Sequence, residues 1–137
     1  MKIVSADAMP TVAADPAHFT GAVWQRPVLR TPEGPEVALL RVHFAPGGRT
    51  HWHTHPAGQT LHVLSGIGII QKRGQAAEPI RPGDTVWIPA GVEHWHGAAP
   101  GHAMEHLAMQ AVIEGTTALW LDAVTEDVYA ASEAVLG

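Results

Sequence analysis

The chain has 137 residues, 46% of them hydrophobic and 15% charged, which suits one compact domain with a real core and excludes a disordered chain. A formal charge of −5 leaves no basic footprint for nucleic acid or an anionic membrane surface. There is no cysteine, so disulfides and thiolate metal sites are excluded, and any metal must be held by His, carboxylate or amide ligands.

In chain order, residues 1–11 carry one Lys and no long apolar run, so no signal peptide is expected. No later stretch approaches the roughly 18 apolar residues of a membrane span, and a cytoplasmic location is the expectation. Residues 1–30, interrupted by Pro10, Pro16 and Gly21, are expected to be an arm or edge strand lying on the rest. Thr31-Pro32-Glu33-Gly34-Pro35 is a loop. From residue 37 to 113, short apolar runs (37–44, 60–64, 68–71, 84–88 and 104–113) alternate with turn signals. That spacing predicts an all-β sandwich or barrel. The sequence Gln71-Lys72-Arg73-Gly74-Gln75 is a polar hairpin turn, and Arg81-Pro82-Gly83-Asp84 places Pro and Gly where a tight turn wants them. A short helix is expected over 125–135, capped by Thr125 and with Glu126 and Asp127 in its first turn. No repeat or linker divides residues 1–137, so one domain is expected.

Two histidine clusters carry the chemistry. In an extended segment, residues i and i+2 face the same way, so His53 and His55 can grip one ion and a later strand can bring His94 to it. By the same parity His96 shares the face of His94, and Met104, His106, Ala108 and Gln110 share a face that Glu105 does not. Leu40, Val42 and Phe44 form one wall, with Leu61 and the strands beside Trp87 completing it. His43 and His62 fall on opposite faces from these and are expected to be structural. His18 and His102, among Gly and Pro, are expected in solvent, and His51 at the rim. Trp52 and Trp95 alternate with the ligands and point away, into core or dimer packing.

The spacing is G-x5-H-x-H-x3-Q-x6-G from Gly47 to Gly66, then G-x5-P-x-G-x2-H from Gly83 to His94. It resembles the two signature motifs of the cupin superfamily, whose fold is a double-stranded β-helix, or jelly-roll, barrel. The strings RTHWHTHPAGQTL, PGDTVWIPAGVEHWHGAAP and MEHLAMQ, with FTG near the start and VTEDVY near the end, are similar to a subgroup of small bacterial cupins. That subgroup includes manganese-dependent hydroxynitrile lyases with (R)-mandelonitrile as a substrate. The resemblance implies that His53, His55, Gln59 and His94 bind a divalent metal, Mn first, with Fe, Zn or Ni possible. It implies that Thr50, His96, His106 and Gln110 line the pocket, and that the protein is a homodimer or a higher homo-oligomer.

Two positions depart from the superfamily pattern: Gln59 stands where a Glu ligand is usual, and Ala98 where an Asn often ends the second motif. A neutral Gln leaves the ion more of its charge. The ion is then a stronger Lewis acid and a weaker electron donor to dioxygen. The function expected is therefore cleavage or formation of a cyanohydrin, with His106 or His96 as general base and Thr50 and Gln110 bonding a small neutral substrate. Arg49 and Arg41 are the nearest cations in sequence to the pocket, and a carboxylate substrate would want a bidentate Arg there. The competing classes are another cupin metalloenzyme, such as a dioxygenase or isomerase, and a non-catalytic small-ligand binder.

Overall fold

A period of two in side-chain burial along Arg41–Phe44 and Met104–Ala111 is what commits the chain to sheets. The computed structural model describes residues 1–137 and has thirteen strands. They are β1 (Val12–Ala13), β2 (Phe19–Thr20), β3 (Val23–Arg30), β4 (Val37–Phe44), β5 (Arg49–Thr50), β6 (His53–Thr54) and β7 (Gln59–Gly66). Then follow β8 (Gly68–Lys72), β9 (Glu78–Ile80), β10 (Thr85–Ile88), β11 (His94–Ala98), β12 (Met104–Ala111) and β13 (Leu119–Trp120). One sheet has the order β1-β3-β4-β12-β7-β10; the other runs β13-β6-β11-β5-β2, with β8 on β11 and β9 on β8. The pairings are antiparallel, and the curled sheets enclose the core, as expected of a jelly-roll barrel.

The expected strands from 37 to 113 are present with small changes at their ends. Residues 23–30, expected to be part of an arm or edge strand, instead form a full strand between β1 and β4, paired from Val23↔Phe44 to Arg30↔Ala38. Pro27 hid it: a bulge between Pro27 and Leu29 lets the strand continue past a residue that cannot donate to the ladder. The Arg81–Asp84 turn closes through Asp84 N–H to Arg81 O at 2.9 Å, with Gly83 at φ 91°. The helix, α1, covers Glu126–Ala131, and Ser132–Leu136 continues as a tighter 3₁₀ turn. Thr125 caps it as expected, accepting from Val128 N–H. No helix is long and apolar enough to cross a membrane.

Two features of the fold place the site. Between Glu105 and His106 the β12–β7 register slips: Glu105 faces Ser65, but His106 faces Val63. The extra residue, Leu64, bends β7 while His106 stays on the inner face with Val63. Outside the sheet that holds β8 and β11, Trp52, Ile69, Trp95, Val124 and Tyr129 form a separate apolar cluster under α1. Trp52 and Trp95 thus point away from the barrel interior, into core packing, and their histidine neighbours are turned inward.

Candidate metal centre and catalytic pocket

Four histidines from two segments, β6 with the residue after it and β11, meet inside the barrel. Pairing of His53 with His94 across β6 and β11 sets their rings 4.2 Å apart, centroid to centroid. His55 lies 4.9 Å from His53 and 5.5 Å from His94, and His96 lies 5.4 Å from His53. The tightest group is His53, His94 and His96, which each offer a nitrogen within 4.8 Å of the others. These three buried histidines could bind a metal ion.

Hydrogen bonds fix which nitrogens face the centre. Nδ1 of His53, His55 and His94 lies 2.9, 2.6 and 2.9 Å from the carbonyls of His51, Thr117 and Val92. A carbonyl only accepts, so each Nδ1 is an N–H donor and each Nε2 carries a lone pair. This is the backing that metal-ligating histidines receive. Nε2 of His55 is buried with no protein partner. Nε2 of His94 faces Oε1 of Gln59 at 3.4 Å. Both atoms are acceptors, because Gln59 turns its amide N–H to Oε1 of Gln110 at 3.1 Å. Buried lone pairs that converge need a cation or a donor between them.

His96 and His106 form a second unit. His106 Nε2 and His96 Nδ1 share a proton across 3.0 Å, while the outer atoms, His96 Nε2 and His106 Nδ1, are buried and unpartnered. Whichever ring holds the shared proton, one outer nitrogen is an N–H donor and the other a bare acceptor. Burial, and then the neighbouring imidazoles, push His53 and His96 well below the ordinary range, and burial lowers His94 and His106 to about 4. Burial lowers His55 too, against the pull of the Thr117 carbonyl. All five rings are therefore neutral at pH 7, as ligands and bases must be.

His53, His55, His96 and His106 open on a cavity that with its mouth encloses about 410 Å³. Leu40 and Val42 line it as expected, whereas Phe44 and Leu61 are fully buried in the core. Thr50 lines it too, its Oγ1 accepting the His96 backbone N–H at 3.2 Å, which leaves the hydroxyl hydrogen free. Gln110 is there but committed: Oε1 accepts from Gln59 and Nε2 donates to Ala38 O, so it orients Gln59 rather than offering itself to substrate. No Lys, Arg, Asp or Glu lines the cavity. Arg49, one of the two candidate cations, faces the other way, its guanidinium 4.3 Å over the Tyr129 ring and bonded to Val124 O and Glu126. Arg41 is on the outer face with Glu105.

Some residues escaped the sequence reading. Gln25 lay in the segment read as an arm, and Thr117, Ala118 and Trp120 carry no motif, yet all line the cavity. His18 is not in open solvent but stacked on Trp120 at 4.5 Å. His62 and His102 are exposed, and His51 is half-buried at the rim, in line with expectation.

The architecture and histidine centre are those of a cupin, and comparison with known proteins agrees: the family described as Cupin domain matches residues 40–105. The chain belongs to the cupin family. It is 50% identical over 111 residues to an (R)-mandelonitrile lyase from Granulicella tundricola, covering 81% of this chain and 85% of that one. An acireductone dioxygenase from Rhodopseudomonas palustris is 36% identical over 66 residues, 46% of this chain and 37% of that one. Among solved structures, a cupin-like protein from Thermotoga maritima superposes with a TM-score of 0.82 at 41% identity, covering 88% of this chain and 91% of that one.

Proposed function

We propose that this chain is a metal-dependent lyase that cleaves and forms cyanohydrins such as (R)-mandelonitrile, and that Mn is the first candidate for its ion, ahead of Fe, Zn and Ni. The observation that carries the metal part is the set of facing acceptors: His55 Nε2 without a partner and His94 Nε2 against Gln59 Oε1. His53, His55 and His94 would hold the ion through Nε2 and Gln59 through Oε1. His96, close enough to join them, bonds His106 through Nδ1, and in this reading its unpartnered Nε2 is kept for proton transfer. When bound, the ion supplies Lewis-acid stabilisation of developing negative charge.

The His96–His106 pair supplies the proton chemistry. The ring with the bare outer nitrogen takes the cyanohydrin hydroxyl proton, the C–CN bond breaks, and the carbonyl forms. The departing cyanide takes a proton from the other ring's outer N–H. Transfer of the shared proton between His106 Nε2 and His96 Nδ1 then restores two neutral rings, with donor and acceptor ends exchanged. The free hydroxyl hydrogen of Thr50 steadies the substrate oxygen. An uncharged lining with Leu40, Val42, Phe19 and Trp120 suits a neutral aryl substrate, and without an Arg it has no partner for a carboxylate.

The same reading pairs two copies through the outer face of the sheet that holds β12, β7 and β10. There Trp87, Thr60 and Met109 sit side by side on β10, β7 and β12, with Trp87 63% and Met109 44% exposed.

The test is to strip the protein of metal, reload it with Mn, and follow benzaldehyde release from (R)-mandelonitrile without oxygen, with His53→Ala as control. Release above the control supports the lyase. Release no greater than the control refutes it, and oxygen-dependent turnover or binding without turnover would then mark the dioxygenase or the binder.

A further inference from the structure

Trp120 lies outside both histidine motifs, yet it touches the metal centre more closely than any other aromatic residue that is not a histidine. Its indole is sandwiched. On one side is the His53 ring, 4.6 Å away with planes 27° apart; on the other is His18, 4.5 Å away and 5° apart. Phe19 closes a third side at 5.4 Å. The backbone is equally constrained, because Trp120 pairs with His53 across β13 and β6, and the next residue, Leu121, donates to Trp52 O at 2.8 Å. Three residues earlier, Thr117 gives its carbonyl to His55 Nδ1. One segment therefore backs two of the histidines, one by stacking and one by a hydrogen bond.

His53 needs the stack. Its Nδ1–H bond to His51 O fixes the tautomer, but a ring held at one nitrogen can still tilt about that bond. A flat indole against one face, itself held from behind by a parallel imidazole, removes that freedom.

We propose that Trp120 is a positioning residue for the metal centre: clamped between His18 and His53, it holds the His53 ring with Nε2 aimed inward and so sets the affinity for a divalent ion. This rests on His53 being a ligand, and it does not require the lyase reaction. The experiment titrates metal-stripped wild type, Trp120→Phe, Trp120→Leu and His18→Ala with Mn²⁺ by calorimetry, with circular dichroism to verify folding. Loss of the stack in Trp120→Leu should weaken binding by about tenfold or more, as loss of an outer-shell partner does. Trp120→Phe keeps a ring and should keep wild-type affinity, and His18→Ala should show a smaller loss.

A folded Trp120→Leu protein with wild-type affinity overturns the proposal; if that variant does not fold, unchanged affinity in His18→Ala overturns it. Wild type that binds Mn²⁺ but cleaves no cyanohydrin sinks the lyase reading and leaves this one standing. Wild type that binds no divalent ion sinks both.

Discussion

Removal of the metal should make the protein acid-labile through the pH range where free imidazole titrates. His94 and His106 are 1% and 0% exposed, and burial lowers each to about 4 from the ordinary 6.5. Because the folded value is depressed, the unfolded chain binds more protons between the two values. The stability these groups contribute is complete above pH 6.5 and is lost as pH falls through about 4. At pH 5 an unfolded imidazole is almost wholly protonated and these two are almost wholly neutral, which costs about 2 kcal/mol for each, or about 4 kcal/mol together. His53 and His96 shift in the same direction and add to it. That is a large part of the roughly 5–15 kcal/mol that holds a domain of ordinary stability. The assay is urea unfolding of the metal-free protein, followed by circular dichroism at pH values from 8 to 4.5. Stability should be flat above pH 7 and fall steeply below 6.5, and His106→Phe should reduce the slope by removing one titrating group. A midpoint constant from pH 8 to 5, or an unchanged slope in His106→Phe, would refute the account of these histidines as buried and neutral.

Two further outcomes test the fold and assembly. Gly66→Ala should cost at least about 3 kcal/mol, since φ is 78° and a Cβ there would lie 2.0 Å from Ala103 O, a backbone atom that cannot swing aside; the denaturation midpoint reads it. Trp87→Arg with Met109→Arg, both on the outer sheet face, should convert a dimer to a monomer in sedimentation equilibrium, and an unchanged mass would discard that face as the interface.

What the sequence determined by itself is whatever depends on near neighbours in the chain. Alternation in a strand places His53 with His55, His94 with His96, and His106 with Gln110, because side chains repeat every two residues whatever lies opposite. Turn chemistry at Arg81–Asp84 and the Thr125 cap are likewise local, and the motif spacing carried the family and the barrel.

The tertiary structure alone decided what depends on pairing between distant segments. Gln110 sits 51 residues from Gln59 and holds its amide, a role that strand parity could place in the pocket but not distinguish from binding substrate. Arg49 is next to Thr50, yet its side chain turns out to Tyr129 and leaves the cavity uncharged. Thr117 and Trp120 belong to a stretch with no strong pattern, and only its return to β6 brings a carbonyl to His55 and an indole to His53. The tautomers of the histidines, and so the direction in which their lone pairs point, follow from backbone carbonyls that the fold supplies; no spacing in the chain encodes them.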